Sequence, residues 1–437
     1  MIHPLKQLVA DQKKGMKKGI MSVCSANEFV IEAVMENAKK YDEFVLIEST
    51  ANQVNQFGGY TGMKPSDFVE FVNKIADKCD FNKDRLILGG DHLGPLTFVK
   101  EDEDKAMELA KDLIEEYVLA GFTKIHIDTS MKVASDNKNT RLSDETIAKR
   151  GAYLCKVAED AYKKVLKQNA TALAPVYVVG SEVPIPGGAQ GEEEEGIQVT
   201  KVADFKATVE TFKNEYKKLK LDDAWDRVIA IVVQPGVEFG DTTIDEYDRE
   251  KAKDLVAAIN DYPNLVFEGH STDYQTPDKL KEMVEDQVAI LKVGPAVTFA
   301  LREALFALNK IEEELLTGTD VYMSNFARVL EHEMLKSPNN WQKHYVGTMD
   351  KLEFKRKYSL SDRCRYYLPS ETVDMSIKRL VNNLEKVEIP FSLLSQYMPV
   401  QYTKVRKNEL DNNPKALIKD RIINCADEYA YACGRNI

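Results

Sequence analysis

The sequence predicts an α/β protein: a (β/α)8 TIM barrel over residues 1–310, followed by a helical C-terminal extension over 311–437 packed on the barrel. Three observations predict it. Eight short β-branched runs recur through the first three hundred residues, most of them separated by stretches whose apolar residues have helical spacing. The Gly-rich dinucleotide turn that a doubly wound sheet would usually carry after its first strand is absent after Ser25. Beyond about residue 300 only helical patterns remain.

In chain order, the strands are expected at IMSVCS (20–25), FVLIES (44–49), RLILGGD (85–91), KIHIDT (124–129), PVYVVGSE (175–182), VIAIVVQ (228–234), NLVFEGH (264–270) and AILKVG (289–294). Between them lie segments such as EDKAMELAKDLIEEYVLAG, where helical spacing ends in a C-capping Gly. PGGAQGEEEEGIQV (186–199) is Gly-rich and acidic, and is expected either as a mobile solvated loop or as a lid. The extension reads as LREALFALNKIEEELL, FARVLEHEMLK, SIKRLVNNLEKV and ALIKDRIINCADEYAYA.

Composition narrows the function classes. With 43% hydrophobic and 30% charged residues the chain has a globular balance, and no stretch approaches the roughly 20 apolar residues of a membrane span. The start lacks the apolar core of a signal peptide, and six scattered cysteines form no CxxC pair, so a cytoplasmic setting is expected. A formal charge of -12 argues against nucleic acid as a partner. A small anionic substrate is compatible with it, because a few local arginines or a helix N-terminus can hold one phosphate.

Catalytic residues of barrels collect at the C-terminal ends of the strands, on the inward face. Alternation in KIHIDT turns His126 and Asp128 inward, in NLVFEGH Glu268 and His270, and in AILKVG Lys292, with Gly294 just beyond. Glu48, Asp91 with His92, Glu182 and Gln234 end other strands. His92, His270 and Glu182 form an N/N/O set suited to a divalent metal, Zn2+ first, with Mn2+, Ni2+ or Co2+ as alternatives. Such an ion acts as a Lewis acid on a carbonyl, while Asp91, Asp128 or Glu182 moves the proton. His126, two residues deeper than Asp128, reads as a hydrogen-bonded core residue. Lys292 allows a Schiff base in principle, but neighbouring acids would keep it protonated, so pairing or substrate contact is the better reading. Gly89 and Gly90 read as space for substrate. KVGPAVTFALREAL after the eighth run, with Gly294 and Arg302, and HSTD after the seventh, with Ser271 and Asp273, read as a phosphate-binding corner.

ESTANQVNQFGGYTGM, LILGGDHLGP, KIHIDTSM, VVGSEVPIPGGA, IVVQPGVEFGD, FEGHSTDYQT, ILKVGPAVTFALREALFAL and YSLSDRCRYYL together resemble the blocks of the tagatose-bisphosphate aldolase accessory family. The resemblance runs from about residue 2 to 430. It implies a TIM barrel related to class II aldolases and ketohexose phosphates as ligands. It also implies roles for Asp91 and His92 like those of the class II Asp-His pair, proton carrier and zinc ligand. Motifs for the other metal histidines do not match residue for residue. Within these blocks Glu48, Asn52, Gln53, Gln234 and Lys292 are expected to contact substrate, with Arg363 and Arg365 capping its phosphate.

Members of the family resemble either non-catalytic subunits of a class II tagatose-1,6-bisphosphate aldolase or epimerases acting at C4 of fructose 6-phosphate, tagatose 6-phosphate or the free sugars. A kinase label is also attached to the family, but this chain has no GxxxxGK[ST] loop. The expectation is a metal-dependent C4 epimerase working by retro-aldol cleavage and re-addition. The alternatives are a stabilising subunit partnered with an aldolase, or the aldolase itself, and a homo-oligomer is compatible with each.

Overall fold

The computed structural model describes residues 2–182 and 197–435. The expected loop or lid at 186–199 lies outside the described residues except for 197–199. Eight parallel strands close into a barrel in chain order: β1 (Ile20–Cys24), β2 (Val45–Thr50), β3 (Leu86–Leu93), β4 (Lys124–Ile127), β5 (Val176–Val179), β6 (Val228–Val233), β7 (Val266–Gly269) and β8 (Val288–Val293), with β8 paired back to β1. A two-stranded hairpin, Glu238–Phe239 with Ile244–Asp245, follows β6.

Alternation builds two separate apolar cores. Outward residues such as Val23, Ile47, Ile125, Tyr177 and Phe267 pack under the surrounding helices. Inward residues Leu46, Ile87, Val178, Ile229, Val266 and Ile290 fill the barrel's lower half. Helix Pro4–Lys13, a segment the sequence reading left without a structural part, closes this lower end by adding Leu5 and Val9 to the inner cluster. Each such burial contributes on the order of 1.5–3 kcal/mol. With the bottom sealed, the barrel interior opens only towards the C-terminal ends of its strands.

Helix Pro295–Leu316 runs unbroken through the expected domain boundary at 310/311. Five shorter helices follow, and the last long one, Pro414–Ala432, returns to the barrel. It packs against helices Glu28–Lys39, Pro277–Glu285 and Pro295–Leu316 and touches β1. It therefore sits in the outer ring rather than outside it. No helix among the described residues is long and apolar enough to cross a membrane.

Candidate active site

Asp91 and His92 are neighbours on β3, and plain alternation would send them to opposite faces. The strand solves this with a bulge: Gly90 pairs with Ile125 and Leu93 with Ile127, so three steps on β3 match two on β4. His92 takes the left-handed backbone conformation at φ 50°. Both side chains then enter the barrel, where each is about 2% exposed. The space expected for substrate at Gly89 and Gly90 is already filled. A Cβ on Gly89 would lie 2.7 Å from the Glu48 side chain, and one on Gly90 would lie 2.5 Å from Leu93 and 2.7 Å from Tyr117.

Above the apolar plug lies a charged layer. Lys124, fully buried, places its ammonium 2.6 Å from both Glu48 and Glu268. Lys292 pairs with Glu48 and sits 2.7 Å from Asp91 Oδ1. Burial would lower the Lys292 pKa, but Asp91 foremost, with Glu48 and Glu268, holds it well above the ordinary lysine range. A permanently charged ammonium is no nucleophile, so the Schiff-base route has no support here.

The three histidines form a triangle, with ring centroids 5.0–5.1 Å apart. Each is tied through one nitrogen to its own carboxylate. His92 Nδ1 lies 2.8 Å from Asp128 Oδ2, His126 Nδ1 2.8 Å from Asp91 Oδ1, and His270 Nε2 3.1 Å from Glu268 Oε1. The short contact to Asp91 makes His126 Nδ1 the protonated nitrogen, so the His92 amide, 3.2 Å from the same atom, makes no hydrogen bond to it. By elimination, His92 Nε2, His126 Nε2 and His270 Nδ1 carry the lone pairs. His126 Nε2 is buried with no partner among the described residues.

Asp91, His92, His126 and His270 each offer a ligand atom, all within 4.8 Å of one another, which fits one metal ion. Carboxylates behind the imidazoles are what fixes tautomer and direction in metal centres. Charge agrees with this. Four carboxylates (Glu48, Asp91, Asp128, Glu268) face two ammoniums (Lys124, Lys292), leaving an excess of two negative charges that a divalent cation would balance.

Titration is shaped by the same neighbours. Burial would raise the Asp91 carboxyl, but His92, Lys292 and His126 hold it well below the usual range. Burial is likewise overridden at Asp128, which the bond to His92 brings down to about 2. His92 is raised because Asp91 and Asp128 outweigh its burial. His270 is pushed down to about 3, chiefly by burial.

A small cavity of about 80 Å³ opens over this cluster. Of the expected substrate contacts, Asn52, Gln53, Ser271, Asp273, Gly294 and Arg365 line it, together with Asp91, His92, His270 and Lys292. Glu48 lies beneath Lys292 and is fully buried. Other expected residues lie elsewhere. Glu182 accepts from Thr200 Oγ1 at 2.6 Å and sits 3.6 Å from Arg141, outside the metal-capable group. Asp128 orients His92 and also accepts from Ser130, so it is placed to steer a ligand rather than to carry a substrate proton. Gln234 Oε1 caps the following turn through the amides of Gly236 and Val237. Arg302 is buried against Asp362 and the Phe299 ring, and Arg363 donates to the Asn340 carbonyl. The corner expected to bind phosphate is occupied by protein: Asp273 Oδ1 accepts from the amides of Gly294 at 3.0 Å and Ala296 at 2.8 Å.

The sequence reading missed His126 as a partner of the other histidines, although alternation already turned it inward. Cys24 also lines the cavity, with Sγ 3.7 Å from Asp91 Oδ2, and the strand-end rule applied to β1 would have found it. Tyr60 and Tyr366, whose rings meet edge to face at 4.8 Å, bring together a loop after β2 and the C-terminal region. No local pattern marks them.

A family described as D-tagatose-1,6-bisphosphate aldolase subunit GatZ/KbaZ-like matches residues 5–434. The D-tagatose-1,6-bisphosphate aldolase subunit GatZ of Klebsiella pneumoniae subsp. pneumoniae is 46% identical over 429 residues, covering 98% of this chain and 99% of the relative. Among solved structures, a probable tagatose 6 phosphate kinase from Sinorhizobium meliloti 1021 superposes with a TM-score of 0.86 at 42% identity, covering 95% of this chain and all of that one. The closed barrel, the histidine-carboxylate cluster and matches over nearly the full length agree, and the chain belongs to the D-tagatose-1,6-bisphosphate aldolase subunit GatZ/KbaZ-like family.

Proposed function

We propose that the protein is a tagatose-1,6-bisphosphate aldolase subunit that keeps, at its own barrel mouth, a metal-dependent site for a ketohexose phosphate. The subunit role rests on the family and on the 46% identical relative. The retained site rests on one observation: three imidazoles, each held by its own carboxylate, converge at the open end of the barrel. His92, His126 and His270 are the proposed ligands, and a divalent ion there, Zn2+ first, would supply Lewis acidity at the sugar carbonyl.

The chain's own groups do the rest. Asp91 lines the cavity, with Oδ1 fixed by His126 and Lys292, and its Oδ2 is the oxygen left to accept the C4 hydroxyl proton as the C3–C4 bond breaks. Arg365, in the same wall, provides a cation for a phosphate. A second reading, C4 epimerisation of fructose 6-phosphate or tagatose 6-phosphate by cleavage and re-addition, is favoured by the fact that the histidines, Asp91 and Lys292 all come from one chain.

Two measurements test these readings. Adding the chain to a class II tagatose-bisphosphate aldolase catalytic subunit should raise that enzyme's activity or half-life, and no effect on either would sink the subunit role. Incubating the metal-loaded chain alone with fructose 6-phosphate tests the site. Tagatose 6-phosphate establishes epimerisation, triose products establish cleavage, and unchanged sugar removes turnover from the proposal.

A further inference from the structure

In barrels of this kind the loops after the last two strands, with a helix N-terminus, present backbone amides to a phosphate. Here that helix is Pro295–Leu316, whose first residue has no N–H, so the first amides on offer are those of Gly294 and Ala296. Both already bond to Asp273 Oδ1. Asp273 is 3% exposed and borders the cavity, so its carboxylate occupies the place a phosphate would take. The loop holding it is fixed: Thr272 Oγ1 donates to the Lys292 carbonyl at 2.6 Å, and the Tyr429 hydroxyl donates to the Thr272 carbonyl at 2.9 Å. Glu238, a second buried acid, lies near enough for the Asp273 charge to help raise its carboxyl.

The cavity lining also holds the opposite charge, near enough to act on Asp273. Arg365 donates to the carbonyls of Ser361 and Asp362 and has no carboxylate partner among the described residues. A half-buried guanidinium without a carboxylate partner is a seat for an anion. The mouth thus holds a cation free of carboxylate partners and an anion that the protein itself supplies.

We infer that Asp273 is a specificity-determining residue: it limits this site to a ketohexose carrying at most one phosphate, seated towards Arg365, and excludes 1,6-bisphosphates. The sugar's other end then offers a hydroxyl, not a phosphate, to the Asp273 carboxylate. The inference rests on the proposed reading of the mouth as a ketose site.

Calorimetric titration of the full, metal-loaded chain with fructose 6-phosphate and with fructose 1,6-bisphosphate tests it. The wild type should bind the monophosphate at least about tenfold more tightly, because a second phosphate meets a like charge. Asp273→Ser, which frees the two amides, should narrow that ratio by about tenfold. Asp273→Asn, which keeps an oxygen on the amides and removes only the charge, should fall between and serves if the serine variant does not fold. Equal or tighter binding of the bisphosphate by the wild type overturns the inference while leaving the ketose reading intact. An unchanged ratio in the folded variants overturns it too. If the wild type binds neither sugar, the ketose reading fails and takes this inference with it.

Discussion

His126 donates Nδ1–H to Asp91 and keeps Nε2 free, whereas Glu182 spends its carboxylate on Thr200 and Arg141. His126→Ala should therefore lower divalent-metal affinity by about a hundredfold or more, since even residues behind the ligands cost 10–100-fold. Glu182→Gln should leave it within about twofold. Metal per chain after dialysis against a weak chelator measures both, and the reverse order would reject the three-histidine set. Lys124 supports a different kind of prediction. Its ammonium balances Glu48 and Glu268 in a fully buried layer, and Lys124→Met would leave Lys292 as the one ammonium in that layer. Removing one partner from a buried ion pair costs about 3–5 kcal/mol, so the urea midpoint should fall markedly. Residue by residue, the sequence exposed more of this site than it explained. Strand alternation turned His126, Glu268, His270 and Lys292 inward, because period two is a local property of the chain. Which nitrogen bonds which carboxylate depends on strands far apart in sequence, so the swap of Glu182 for His126 could not be read from either segment.

At the scale of the element, β3 shows why Asp91 and His92 needed a structure. A rule of strict alternation allows only one of them inside, and the extra residue opposite β4 brings in the other. Eight strands were legible because each is a β-branched run ending in polar residues. The 238–245 hairpin was not, since two residues per strand leave no periodic signal. That hairpin carries a pH-sensitive group. Burial pushes the Glu238 carboxyl up to about 7, against the Phe239 amide that favours its ionised form. An acid whose folded pKa is raised binds its proton more tightly in the native state, so stability falls as pH rises from about 4.5 to about 7 and stays lower above that. Glu238→Gln keeps an acceptor for the amide and removes the charge. It should match the wild type at pH 4 and exceed it at pH 8 by up to about 3 kcal/mol, following 1.36 kcal/mol per pKa unit. Thermal unfolding at the two pH values decides this, and a variant less stable at pH 8 would refute it.

Across the whole molecule, the C-terminal region reads in sequence as a helical extension packed on the barrel, because no strands intervene between its helices. Its last helix goes further and occupies a place in the ring, with Leu417, Ile418, Ile422 and Tyr429 buried where it meets the helices after β1, β7 and β8. The same helix reaches the candidate site. Tyr429 bonds the carbonyl of Thr272, next to Asp273, and Thr272 in turn bonds the β8 backbone at Lys292. A true appendage could be removed with the barrel left folded. Ending the chain after residue 413 should instead expose a long apolar seam along β1 and prevent cooperative folding. Point variants separate the two tasks of this helix. Leu417→Ala, far from the cavity wall, should cost about 2–5 kcal/mol through the void it leaves, with ligand binding unchanged in the protein that remains folded. Tyr429→Phe removes one hydroxyl from a buried site and should cost only about 1 kcal/mol. Because that hydroxyl steadies the loop bearing Asp273, the variant should also weaken discrimination between fructose 6-phosphate and fructose 1,6-bisphosphate. Normal discrimination in Tyr429→Phe would uncouple the ring from the site, and a folded, cooperative 1–413 fragment would return the last helix to the status of an appendage.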